Sequence, residues 1–197
     1  MATQDPELEF DSAKLIRLAR RGDESAFGKI VNFYQARLLS YCSRMVGSNA
    51  EDVAQEIFIK FYLSLNRFDP SKPIGPFLFR IAHNHCVDTL KKKRIRSISL
   101  FGGRDEEYEI QVPDDSPDPE KSLQDAELKQ AIHAALAKVP VRYRSPLVMW
   151  HMEGISYAEI SEILDLPMGT VKARIHRGRK ILQQKLSNFV SCTGETI

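Results

Sequence analysis

Apolar residues recur at helical spacing along nearly the whole chain, and the alternation that marks strands is weak. Ala13 to Arg21 reads as a first helix stopped by Gly22, and Asp23 is placed to cap the next. There Phe27, Ile30, Val31, Tyr34, Leu38, Tyr41, Cys42 and Met45 share one side until Gly47 interrupts them. Ser48-Asn49-Ala50-Glu51 has the form of a capping box and opens a helix whose inner stripe is Val53, Ile57, Phe61 and Leu65. The segment Phe68 to Pro76, rich in Pro and Gly, predicts a loop. A fourth helix is expected from about Phe77 to Arg94. Its row Leu78, Ala82, Cys86, Leu90 faces a core, and Arg80, Asn84, Asp88 and Lys91 lie opposite.

Ser97 to Ser122 breaks the pattern. It holds Gly102-Gly103, several prolines and the acidic groups Asp105-Glu106-Glu107 and Asp114-Asp115, too little apolar surface to offset its chain entropy. Periodicity returns with Leu128, Ile132, Ala135, Leu136 and Val139, stops at Pro140, and resumes from Tyr143 to Met152, with Pro146 in the first turns. Ser156 and Glu159 then form a second capping box, followed by an apolar stripe of Ile160, Ile163 and Leu164. Asp165-Leu166-Pro167 ends that helix, Gly169 gives the turn backbone freedom, and a last helix starts near Thr170. On it Val171, Ile175, Gly178 and Leu182 fall on one side. Ala173, His176, Arg177 and Lys180 fall opposite, with Lys172 and Arg179 on the flanks. The expected architecture is all-α: two small helical domains, residues 10–96 and 123–190, joined by an acidic flexible linker over 97–122.

Charge sharpens this picture. The 197 residues carry a net charge of only +2, but the cations gather at Lys91-Lys92-Lys93-Arg94-Ile95-Arg96 and between Lys172 and Lys185. Local fields of this kind attract nucleic acid whatever the average. Two short helices joined by a turn, the second basic on its outer face, are the parts that lay a helix in the major groove of DNA. Arg177 and Lys172 suit guanine acceptors; Thr170, Arg179 and Lys180 suit phosphates.

No apolar run is long enough to span a membrane, and Met1 to Phe10 is polar and acidic, unlike a signal peptide. Cys42, Cys86 and Cys192 are scattered and odd in number, which argues against a disulfide framework and for a cytoplasmic protein with reduced thiols. His83, His85 and Cys86 sit at i, i+2, i+3 and do not converge, so neither a metal nor a cofactor is expected.

Four segments together carry a family resemblance: Leu18 to Phe27, Asp52 to Lys60, Phe79 to Asn84, and the helix-turn-helix from Gly154 to Arg179. In this order, over about residues 13 to 186, the chain resembles a bacterial RNA polymerase sigma factor of the extracytoplasmic-function group. That group has only the second and fourth sigma domains.

The resemblance implies a non-catalytic initiation subunit, active in a stress or envelope response, that binds core RNA polymerase and promoter DNA, both duplex and single-stranded. It implies polymerase docking by Asp52, Gln55, Glu56 and Ile59, beside Phe58. It implies −10 recognition by the Phe68–Pro76 loop around a flipped base, with Phe68 and Phe77 as ring faces and Arg80, Asn84 and Lys91 holding backbone and base edges. It implies −35 recognition by Thr170, Lys172, Ala173, His176, Arg177, Arg179 and Lys180. The acidic linker would thread the polymerase channel, and an anti-sigma factor would hold the chain inactive. The chain departs from the family at Phe77, often Trp, and in the stiffening Pro73 and Pro76.

Two rivals make different predictions. A helix-turn-helix regulator would bind an operator without polymerase. A hydrolase built on His83, His85 and Asp88 would need a nucleophile elbow, phosphate loop or paired ligand motif, none of which occurs.

Overall fold

The structure, a computed structural model, describes residues 11–101 and 119–193, without the side chains of 94, 96–101, 119–127 and 188–193. The expectations for Met1 to Phe10, for the acidic segment over 102–118 and for the Cys192 thiol lie outside the described residues.

The described residues form helices without strands. They are α1 (Ser12–Arg20), α2 (Glu24–Val46), α3 (Ala50–Ser64), α4 (Ile74–Phe101), α5 (Pro119–Ala137), α6 (Val141–His151), α7 (Tyr157–Leu164) and α8 (Met168–Thr193). Asp11 caps α1 by accepting from the Lys14 N–H at 3.0 Å, and Asp23 caps α2 through the Ala26 N–H at 3.0 Å. Gly47 ends α2 at φ 73°, a conformation open to glycine at no steric cost.

Several local details depart from the sequence pattern. The capping box at Ser48 does not form. The chain leaves α2 through a 3₁₀ turn over Gly47–Asn49, which puts Asn49 at the cap position, and Ser48 Oγ bonds Asn49 Oδ1 instead. The loop before α4 is shorter than expected. Ile74 is buried and begins the helix, and Pro76 falls in its first turn, where no backbone donor is needed. Helix also occupies both ends of the expected linker, since α4 runs on to Phe101 and α5 starts at Pro119. Pro146 is accommodated inside α6, which continues to His151.

α1 to α4 pack around Ile16, Ile30, Tyr34, Leu38, Met45, Ile57, Phe61, Leu78 and Phe79. α5 to α8 pack around Leu136, Leu147, Met149, Ile160, Ile163, Val171 and Ile175. The two groups share one apolar cluster, because α2 lies against α5 and α6, and α4 lies against α7. Several polar groups at this junction find partners across it, as burial favours. Ser145 Oγ meets Tyr41 Oη at 3.0 Å and His83 Nδ1 at 2.8 Å. Ser40 Oγ donates to Glu153 Oε1 at 2.6 Å, and Arg37 Nη2 donates to the Glu153 carbonyl at 2.9 Å. Cys42 and Cys86 are free thiols buried in the first bundle, where a hydrogen bond between them and burial push the Cys42 thiol far up, keeping it protonated.

Candidate nucleic-acid interface

The second helix pair is fixed locally. Ser156 Oγ accepts from the Glu159 N–H at 3.2 Å, and Glu159 Oε2 accepts from the Ser156 N–H at 2.9 Å, closing the expected capping box. α7 ends at Asp165, which adopts a left-handed conformation (φ 51°). The turn's backbone freedom is therefore supplied by Asp165, not Gly169, which lies within α8 away from the left-handed region. Asp165 can do this because a short polar side chain tolerates left-handed φ better than most.

α8 is two-faced. Val171, Ile175 and Gly178 are buried, and Leu182 is half-buried against the same core. Gly178 is required by closeness: a Cβ there would sit 2.9 Å from the Tyr143 carbonyl oxygen of α6. Lys172, Ala173, His176, Arg177, Arg179 and Lys180 are all exposed, and Thr170 is half-exposed at the first turn. The seven expected −35 residues thus lie on one outward surface of a helix-turn-helix.

The first bundle presents two further groups. On α3, Asp52, Gln55, Glu56 and Ile59 are exposed together, as their spacing predicts. Phe58 belongs instead to the core side of α3, so it cannot border that face as expected. Sequence reasoning missed Leu63, 74% exposed, and Tyr62, which extend the apolar surface around Ile59. Leu63 follows Ile59 by one helical turn, a signal the inner-stripe pattern left unused. Glu56 Oε2 lies 2.9 Å from His85 Nε2. Burial, with Lys60 close by, holds His85 below its ordinary pKa.

At the α3–α4 turn, Phe68 is 4% exposed and packs on Phe61 and Phe77, with 4.8 Å between the Phe68 and Phe77 centroids. Phe68 is a core ring rather than an open stacking face. Phe77 is half-buried and keeps part of its surface. The turn is held by Arg20 of α1, a residue that the helical pattern does not single out. Its Nε donates to the Leu65 carbonyl at 2.8 Å, and its Nη2 donates to the Phe68 carbonyl. Asp69 accepts from the Ser71 N–H at 3.0 Å and hydroxyl at 2.8 Å, and these bonds lower its pKa.

On α4, Arg80, Asn84 and Lys91 are exposed in one row. Arg80 Nη2 donates to the Glu162 carbonyl of α7, and Lys91 lies 3.6 Å from Asp88. His83 turns toward Ser145, where burial and the Arg174 charge depress its pKa to about 4. His83, His85 and Cys86 therefore point to three different environments.

Comparison with known proteins gives this geometry its family. The sigma-70 region 2 family matches residues 30–95, and the sigma-70 region 4 family matches residues 129–182. The chain is 35% identical over 187 residues to the ECF RNA polymerase sigma factor SigW of Bacillus subtilis, covering 92% of this chain and all of that protein. The chain belongs to the ECF RNA polymerase sigma factors of the sigma-70 family.

It is also 31% identical over 180 residues to the ECF RNA polymerase sigma-E factor of Escherichia coli K12, covering 89% of this chain and 94% of that one. Among solved structures, CnrH bound to the cytosolic domain of CnrY superimposes with a TM-score of 0.64 at 25% identity, over 90% of this chain and 98% of that chain. The region 2 match runs from within α2 through α3 into α4, and the region 4 match from within α5 through α6 and α7 into α8. The pairing of both regions in one chain makes it a sigma factor rather than an independent regulator.

Proposed function

We propose that the sigma role is divided among three surfaces of this chain. Asp52, Gln55, Glu56 and Ile59 of α3, extended by Tyr62 and Leu63, dock on core RNA polymerase. Arg80, Asn84 and Lys91 of α4, with Phe77 at the turn, take the −10 element, while Phe68 supports the Phe77 ring from within. Thr170, Lys172, Ala173, His176, Arg177, Arg179 and Lys180 of α8 take the −35 element. The single observation that carries this reading is the division of α8, whose apolar side is packed while Lys172, Arg177, Arg179 and Lys180 are exposed; Arg174 alone among these basic residues is half-buried, on the side toward His83. The domain limits read from sequence, 10–96 and 123–190, are kept with it.

Separating duplex DNA costs about 1.4 kcal/mol per step, and stacking on a ring returns about 1–3 kcal/mol per base. A module this small therefore captures exposed bases rather than prising strands apart. The chain itself does no covalent chemistry; nucleotide addition belongs to the polymerase. It works in the cytoplasm, where polymerase and chromosome are. CnrH is solved with the cytosolic domain of CnrY, which supports an anti-sigma partner for this chain too.

Run-off transcription with core polymerase over a genomic library tests the whole reading: the chain should make initiation promoter-selective. Failure on every template, with no inhibitor present, would overturn it. Within that assay, Arg177→Ala should weaken −35 binding by about 1–3 kcal/mol and relax one base preference. Equal loss at all sequences would reassign Arg177 to the phosphate backbone.

A further inference from the structure

Trp150, the only tryptophan of the chain, stands near the end of α6. Its ring stacks on that of Tyr157, the first residue of α7, with centroids 5.5 Å apart and planes 8° from parallel. Each ring also carries one cation from α8. Arg179 Cζ lies 5.1 Å from the Trp150 centroid, and Lys172 Nζ lies 5.7 Å from the Tyr157 centroid. Lys172 and Arg179 are seven residues apart, so they lie on the same flank of α8, about 10 Å apart along its axis. Both are exposed, and among the described residues neither is ion-paired with a carboxylate. Tyr157 follows the doubly bonded Ser156 cap, so the ring pair rests on a fixed helix start.

A cation on a ring is held without being neutralised. A guanidinium that lies on an aromatic face still has its N–H fork at the edge, free to bind a phosphate oxygen. A carboxylate partner would compete for those donors. Free Lys and Arg side chains lose rotamer freedom when they bind DNA; here the rings remove part of that freedom beforehand.

We propose that Trp150 and Tyr157 are positioning residues for promoter recognition, holding Arg179 and Lys172 of α8 at the edge of the recognition surface to receive phosphates of the upstream duplex, a role that for Lys172 replaces the guanine contact expected from sequence. The proposal rests on the reading of α8 as the helix presented to DNA. It adds two residues outside the recognition helix that set where its flanking cations stand.

The test uses holoenzyme made from the full chain and core polymerase, with a duplex promoter mapped by run-off transcription. Binding is measured against salt for Trp150→Leu, Trp150→Phe, Arg179→Ala and the double variant Trp150→Leu with Arg179→Ala. Trp150→Leu is expected to weaken binding about 3- to 10-fold and to flatten the salt dependence, while Trp150→Phe restores most of both. The double variant should bind no more weakly than Arg179→Ala alone. If the two losses multiply, the rings act on packing rather than through the cation, and the proposal is wrong.

Tyr157→Phe should behave as wild type, and Tyr157→Leu should lose binding only while Lys172 is present. The Trp150 emission of the free chain, read with and without duplex, should change on binding in the wild type and change less in Arg179→Ala. An identical change in both would also overturn the proposal. If Arg179→Ala and Lys172→Ala together leave promoter affinity intact, the α8 reading fails and takes this one with it. If they weaken it while Trp150→Leu does not, only the ring assignment fails.

Discussion

The two surfaces proposed to face DNA differ in how free they are. The outer surface of α8 is open, and its buried side packs against α5, α6 and α7. The α4 surface is partly covered by region 4, with Arg80 bonded to the Glu162 carbonyl and His83 to Ser145. The proposed −35 face is thus complete on one helix, whereas the proposed −10 face is shared with its neighbour. On the proposed reading, freeing Arg80 for DNA requires that its bond to α7 break. The groups that resist parting of the two regions are Ser145, His83, Tyr41, Ser40, Arg37 and Glu153.

The strongest way to break this contrast is at Ser145. Its hydroxyl serves both Tyr41 and His83, and Ser145→Val leaves the buried Tyr41 hydroxyl unpaired at about 1–3 kcal/mol and the half-buried His83 nitrogen unpaired at less. The variant should lose about 2–4 kcal/mol in urea unfolding and expand in small-angle scattering. A compact, wild-type-like variant would show that apolar contact alone holds the regions together.

Acid should act in the same direction. The native chain keeps His83 neutral down to about pH 4, while the unfolded chain takes up a proton near its ordinary pKa of 6.5. Between those values the unfolded state binds more protons, so stability is lost as pH falls, by ~1.4 kcal/mol per unit. His133, whose pKa burial and Arg44 lower, adds to this. Glu153, raised by burial, opposes it, because there the native state takes the proton first. Thermal melts should therefore show a lower Tm at pH 5.5 than at pH 7.5, and His83→Gln should reduce that slope. An unchanged slope would remove His83 from the account.

The open face offers a gentler perturbation. Gly178→Ala places a methyl 2.9 Å from the Tyr143 carbonyl. Overpacking of this kind costs about 1–3 kcal/mol, and the better helix propensity of Ala returns about 1 kcal/mol. A net loss near 1 kcal/mol is expected, with −35 binding falling alongside it as α8 shifts. The smallest effect is expected at Arg80→Ala, which removes one exposed bond to α7 and should cost about 0.5 kcal/mol of stability. Promoter opening by permanganate footprinting should nevertheless drop sharply. Unimpaired opening would show that Arg80 serves only the contact between regions.

What the sequence revealed follows the range of the interactions. The α7–α8 unit was legible because its signals are local: a capping box, an apolar stripe and a basic outer face within one short stretch. The exposed row on α3 was legible from spacing alone. Ser145, Glu153 and Arg37 were not singled out, because their partners lie more than sixty residues away and nothing near them in sequence marks the pairing. Phe68 was misplaced because composition marks a loop but not a ring turned inward from it. Gly169 was favoured over Asp165 because glycine is the commoner route to left-handed backbone, although an aspartate served here.

The two bonds from Arg20 tie the start of the chain to the α3–α4 turn. Anything that unseats α1, whether a proteolytic cut behind it, a bulky upstream fusion or a partner that peels it away, leaves two carbonyls at that turn without their donor. The proposed −10 surface is thereby answerable to α1, and clipping at Arg21 should disturb promoter opening while leaving upstream duplex binding intact.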